Sequence, residues 1–256
     1  MPHPAVSKFA GVVLALASVT AGATIPAKPA AIVVSLVGTV WAQIPGRRIR
    51  ILTEDAALSA QETVTTQQKS YARLRFSDGG QITLRPETSL RIDAYHFNKN
   101  KPAKDNLVFS LLKGGMRAIS GLIGHRGNRN AYRARAGAAV IGIRGTHYGL
   151  LLCDDNCQGL LVHSSATASK GSRADKQHES SPSNGLYLEV LAGRIVVNNK
   201  AGARDYVAGQ YGYVRSKHAL PVQLSRDPGL QQALPANMGG MRHMPGLRKG
   251  EACVAR

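Results

Sequence analysis

Alternation with a period of two, with almost no periodicity near 3.6, is the feature that most limits what this chain can fold into. After about residue 24 no segment keeps an apolar stripe at i, i+3, i+4 and i+7 over three turns, so no amphipathic helix of ordinary length is expected. Strand-like runs recur instead. In Tyr71-Ala-Arg-Leu-Arg-Phe76, Ala72, Leu74 and Phe76 share one face while Arg73 and Arg75 share the other. Ser77-Asp78-Gly79-Gly80 has turn composition, and 81–84 and 89–95 alternate again, so 71–95 reads as a hairpin and its continuation. Residues 31–37, 107–112, 140–152, 185–197 and 206–214 complete the strand signals. Glycine recurs between strand formers in Leu36-Val-Gly38-Thr-Val40, Leu112-Lys-Gly-Gly115-Met-Arg and Leu191-Ala-Gly193-Arg-Ile195. Such an echo predicts similar corners, where glycine supplies a positive φ or a close backbone approach. The expected fold is all-β, one domain over 31–215, built as a solenoid-like stack, a jelly roll or a sandwich.

Three stretches fall outside this pattern. Residues 98–106 and the basic, glycine-rich 121–130 read as exposed loops. Residues 164–184 are rich in Ser, Lys, Asp and Gly and read as a mobile insertion, because they bury too little apolar surface to offset ordering entropy. Pattern is lost again near the end, so 216–256 is expected to be a disordered tail.

The N-terminus sets the compartment. Lys8 precedes an apolar run over 9–19, and Ala21-Gly22-Ala23 matches a small-residue cleavage site, so residues 1–23 read as a secretory signal peptide. That run is shorter than the roughly 20 residues a spanning helix needs, and no other segment approaches one. A periplasmic or secreted protein is expected. With 33 Lys and Arg against 15 Asp and Glu, the formal net charge is +18. Charge of this size favours anionic partners such as nucleic acid, anionic lipid or an acidic envelope polymer. Export points to an envelope protein or an anionic envelope polymer as partner and leaves nucleic acid supported by charge alone.

Cysteine usage fits the same compartment. Cys153 and Cys157 flank Asp154-Asp155-Asn156, a turn-forming trio, and an oxidising environment favours a bridge between them. Zinc held by these cysteines with His147 and His163 is the weaker alternative on compartment grounds. Cys253 is left without a sequence neighbour. Nothing points to an enzyme or to a bound cofactor. There is no G-x-S-x-G elbow, no carboxylate pair stands out, and Gly121-Leu-Ile-Gly124-His-Arg-Gly127 lacks the spacing of a phosphate loop.

Taken together, these motifs resemble the FecR domain family. Val37-Gly-Thr-Val40 is similar to its opening strand and glycine. Thr65-Thr66 with the run from Ser70 to Asp78-Gly79 is similar to its threonine, strand and aspartate-glycine hairpin. Ile82–Leu90, Leu112-Lys-Gly114, Leu191-Ala-Gly193 and Gly209-Gln210 follow in the family's order, and Ile143-Arg144-Gly145-Thr146 is the most diagnostic segment. The resemblance covers about residues 33–214 and implies a bacterial envelope protein with an all-β, somewhat solenoid-like module. Prototype members carry a cytoplasmic sigma-binding segment and a transmembrane helix before the module. Here a signal peptide precedes it, so a sigma-factor-linked role in transmembrane signalling is the alternative to a protein- or polymer-binding module.

Two expectations concern arginine. If 140–152 is one regular strand, Arg144 shares a face with Val140, Gly142, Thr146, Tyr148 and Leu150, which are small or mostly apolar. It should then be buried as a structural clamp, paired with Asp78 or Glu87, because an isolated buried charge is prohibitive. The other reading puts Arg144 in a ligand groove. Separately, Arg47, Arg48 and Arg50, and Arg126, Arg129, Arg133 and Arg135, form two basic clusters able to bind phosphate or carboxylate.

Overall fold

The computed structural model describes residues 28–126, 128, 130–155, 157 and 183–230. The signal-peptide segment 1–23, residues 164–182 of the expected insertion, Arg129, His163, Cys253 and residues 231–256 lie outside the described residues. In chain order the strands are β1 Ala31–Val37, β2 Val40–Gln43, β3 Arg50–Ile51, β4 Ala57–Leu58, β5 Thr63–Thr66, β6 Tyr71–Phe76, β7 Gln81–Leu84 and β8 Ser89–His96. They continue as β9 Asn106–Ile119, β10 Tyr132–Ala136, β11 Ala139–Cys153, β12 Gly185–Asn199, β13 Gly202–Val207, β14 Tyr211–Val214 and β15 Val222–Leu224. A single α-helical turn, α1 at Leu122–His125, interrupts them. The chain is all-β, as its alternation predicts.

All these strands join one open hydrogen-bonded sheet, and three long strands fold it into two layers. The first half of β9 pairs with β8 and, in parallel, with β10. Its second half pairs with β7 and β11. The longest strands, β11 and β12, run together through both layers, with β13 beside one half of β12 and β14 beside the other. One layer therefore reads β3-β2-β5-β8-β9-β10-β11-β12-β13, and the second β4-β1-β6-β7-β9-β11-β12-β14-β15. Contacts between them close a shared core. The Tyr148 hydroxyl donates to that of Tyr132 at 3.3 Å. The rings of Phe76 and Tyr95 lie 5.5 Å apart. The Tyr206 hydroxyl donates to the Val222 carbonyl at 2.9 Å. The result is a sandwich-like stack in which strands change layer at corners.

Those corners fall on the recurring glycines. Gly38, Gly114 and Gly193 have φ of +73°, +76° and +80°. A corner breaks the regular ladder, so its backbone groups need other partners. Buried hydroxyls supply them. Thr39 N donates to Ser70 Oγ at 2.9 Å. Thr88 Oγ1 accepts from Gly115 N and donates to Gly115 O, both at 2.9 Å. Thr146 Oγ1 donates to Arg194 O at 2.8 Å.

Two expectations are corrected, and one strand escaped the sequence reading. Segment 121–130 is not wholly an exposed loop: Ile123 and Gly124 of α1 are buried. The tail does not begin at 216. Residues 222–224 form β15, antiparallel to β14, and Leu230 is buried. The side chains of β15 are largely exposed, so backbone hydrogen bonds hold it, and no apolar pattern reports them. Finally, Tyr132-Arg-Ala-Arg-Ala136 is strand β10, with Tyr132, Ala134 and Ala136 in the core. Its alternation is visible in the sequence but is masked by its arginines.

Candidate functional site: an arginine-bearing outer face

The diagnostic segment of β11 is broken by a bulge. Register against β12 shifts between Arg144 and His147. Gly145 has φ +56° there. A bulge inserts one residue and reverses which face the following side chains take. Ala139, Ile141 and Ile143 are buried before it, and Thr146, Tyr148 and Leu150 after it. Arg144 therefore leaves the face of Thr146 and Tyr148 and is exposed. The expectation of a buried clamp at Arg144 is overturned, because regular alternation does not continue through Gly145.

Neither expected partner pairs with it. Asp78 is buried, but it caps backbone amides, accepting from Gly80 N at 3.0 Å and Ile123 N at 3.2 Å. Burial raises its pKa, and these N–H bonds partly offset that. The Asp78 amide in turn donates to the Tyr95 hydroxyl at 2.9 Å. Gly79, at φ +88°, turns the hairpin beside it. Glu87 sits at a turn with φ +53°. The brace role belongs to Arg126, which holds the buried Asp105 at 3.1 Å, donates to the Asn98 and Lys99 carbonyls, and covers the Phe97 ring at 5.2 Å.

Thr146 locks the bulge. Its hydroxyl lies 2.8 Å from both the Arg144 and Arg194 carbonyls, which share its single proton, and its amide donates to Ser120 Oγ at 2.8 Å. Thr146→Val keeps the shape and removes the donor. We expect a loss of about 1–2 kcal/mol, the cost of leaving buried carbonyls unsatisfied, read as a lower urea midpoint with an unchanged slope. An unchanged midpoint would show that the lock is dispensable.

Bridging of Cys153 and Cys157, with Cα atoms 5.0 Å apart, uses both sulfurs and removes the zinc alternative. Asn184, at the approach to β12, ties down the same loop through Asp155 at 2.9 and 2.7 Å.

The predicted arginine clusters divide. Arg47 and Arg48 are exposed between β2 and β3. Arg50 is bound to Glu62 at 2.8 Å. Arg133 and Arg135 project from β10 on the outer face of the first layer. Register places Arg133 beside Gly142 and Arg135 beside Val140 of β11, and Arg144 directly opposite Arg194 of β12. Farther along the face, Asp93 bridges Arg91 at 2.6 Å and Arg135 at 3.3 Å, and Ser110 Oγ donates to it at 2.6 Å. Sequence reading missed Arg91 and Arg194. Their alternation within β8 and β12 could have placed them outward, but only strand pairing brings them beside Arg135 and Arg144. A cleft of ≈ 320 Å³ opens between α1 and β11, with His125, Arg126 and Arg144 in its walls.

The outer face of the second layer is more deeply buried. There Arg117 pairs with Glu189 at 2.9 Å, and Glu189 is only 1% exposed. Burial raises the Glu189 pKa and Arg117 opposes that rise. Burial, then the Arg117 charge, push the neighbouring His147 down to about 4.

Comparison with known proteins follows the same lines. The FecR protein family model matches residues 62–166, from the segment entering β5 through β11 and beyond. Over those residues the chain is similar to the FecR family. Two crystal structures of a protein from Parabacteroides distasonis ATCC 8503, described as a candidate anti-sigma factor, are similar at 10% and 11% identity, each with a TM-score of 0.43. Each match covers 65% of this chain, which spans 60% of the length of the solved one. No curated protein matches the chain. Among the described residues, no helix is long and apolar enough to cross a membrane.

Proposed function

We propose that this protein is an exported, non-enzymatic envelope regulator whose FecR domain binds an anionic envelope polymer through the outer face of its first layer. One observation carries the reading. Arginines from four strands, Arg91 of β8, Arg133 and Arg135 of β10, Arg144 of β11 and Arg194 of β12, share that face. Arg144 continues the outward face of Val140 and Gly142, and the bulge at Gly145 separates it from the inward face of Thr146 and Tyr148. Arginine forks bind phosphate and carboxylate with two parallel hydrogen bonds, and a positive face concentrates polyanions before contact. The +18 formal charge of the chain acts in the same direction.

Pelleting the secreted protein with purified lipopolysaccharide and with peptidoglycan sacculi tests this. Binding is expected at low salt, declining as salt rises, and weakened in Arg133→Gln/Arg135→Gln. Absence of binding to either polymer, or binding that ignores salt and both substitutions, would refute the reading. The FecR match also favours a second reading, a sigma-factor-linked regulator contacting a sensor or transporter. Co-purification with such a membrane protein, undiminished by the arginine substitutions, would support it.

A further inference from the structure

We infer that Gly142 is the floor of a binding site for a phosphate group, ringed by Arg133, Arg135, Arg144 and Arg194. The inference rests on the anionic reading of this face and narrows it to one position and one chemistry. Gly142 lies in the regular part of β11, outside the bulge. Arg133 is its neighbour on β10 and Val196 its neighbour on β12. Arg144 follows two residues along the same face. Arg135 and Arg194 stand diagonally on either side through their partners Val140 and Arg144. A side chain at 142 would fill the space among them. A Cβ there would meet nothing nearer than the Val196 carbonyl at 3.9 Å. Glycine inside a strand weakens it and marks places where another group approaches the backbone closely.

The charges around this depression are left incompletely matched. Arg144 and Arg194 face each other directly, with Cβ atoms expected about 4.5–5.5 Å apart, and like charges so placed destabilise a sheet. Among the described residues Arg194 reaches one carboxylate, Asp205, at 3.8 Å. Arg133 Nε is shielded from water and has no acceptor. The same face contains a closed version of this arrangement, where Asp93 sits between Arg91 and Arg135. Among the described residues no such carboxylate stands between Arg144 and Arg194, which leaves that position for an anion from outside. Counting Arg91, which shares Asp93, five guanidiniums stand against Asp93 and Asp205 and leave three positive charges, an excess that favours a phosphate dianion, whose oxygens suit several forks at once. Val140 and Val207, 39% and 38% exposed, add apolar rim to the ring, as a phosphate on a lipid headgroup would require.

The full secreted chain is titrated with inorganic phosphate and, separately, with vesicles of phosphatidic acid in phosphatidylcholine. Wild type is compared with Gly142→Val, Arg144→Gln and Arg47→Gln/Arg48→Gln. Gly142→Val removes no charge and fits a strand, so its thermal midpoint should not fall. Affinity is expected to drop about tenfold or more in Gly142→Val and in Arg144→Gln, the loss of at least one charge-assisted hydrogen bond. It should stay near wild type in Arg47→Gln/Arg48→Gln, which removes more charge elsewhere. Binding to vesicles alone assigns the phosphate to a lipid headgroup, and binding to both probes assigns it to phosphate itself. Wild-type affinity in Gly142→Val, an equal loss in Arg47→Gln/Arg48→Gln, or no binding to either probe overturns the site. The last result beside salt-sensitive binding to sacculi would leave the broader envelope reading standing.

Discussion

Gly193→Ala is expected to destabilise the domain by about 3 kcal/mol or more, a sum of backbone strain and collision. Gly193 has φ +80°, and an added Cβ would stand 2.3 Å from the Gly145 carbonyl oxygen and 3.0 Å from Thr146 Cα. These are backbone atoms of the β11 bulge, which Thr146 holds by hydroxyl bonds on both strands. Neither side can yield without undoing the corner. Gly79→Ala separates the two causes. Its φ is +88° and nothing lies within 4 Å of the added Cβ, so only backbone strain remains, about 1 kcal/mol. Urea denaturation should show a much larger midpoint shift for Gly193→Ala. Equal shifts would mean that the close approach of β12 to the bulge contributes nothing.

Arg117→Met should cost about 3 kcal/mol at neutral pH, because it strands a buried carboxylate. Glu189 reaches Arg117 by passing over Gly149, where an added Cβ would lie 2.7 Å from Glu189 Oε1. The missing side chain at 149 is what lets the pair form across β11. The pH dependence has a definite sign. Burial already raises the folded pKa of Glu189, and losing Arg117 raises it further. A carboxyl whose folded pKa exceeds its unfolded one favours folding fully below the unfolded value, and that contribution is lost as pH rises through the folded pKa. The deficit of the variant is therefore largest at neutral pH and shrinks as pH falls toward the ordinary carboxylate range. His147 gives a second readout. Its pKa, held down to about 4 by burial and then by Arg117, should rise in the variant while staying below the ordinary histidine value. A deficit that does not vary with pH, with an unmoved His147 titration, would show that the ion pair is not what Arg117 contributes.

The two substitutions probe different kinds of information. Gly193 belongs to a glycine echo visible along the chain, and the echo predicts a positive φ or a close backbone approach at its corner. What the echo did not reveal is that Gly193 packs on Gly145, because that contact joins strands 48 residues apart, the separation of the Thr146–Arg194 bond beside it. Arg117 and Glu189 carried no sequence signal as a pair. They are 72 residues apart and meet only because β9, β11 and β12 lie side by side.

Local chain chemistry determined that this protein is built of strands, where most of them lie, which glycines make corners, and that Cys153 and Cys157 bridge. Each follows from side-chain alternation, turn residues or short separation, which a sequence records directly. Only the tertiary structure decided the direction of Arg144. One inserted residue at Gly145 reverses the face of everything beyond it, and alternation read along a single strand cannot detect that reversal. Pairing likewise decided which arginines share a face, since Arg133, Arg144 and Arg194 are neighbours through hydrogen-bonded register and not through proximity along the chain.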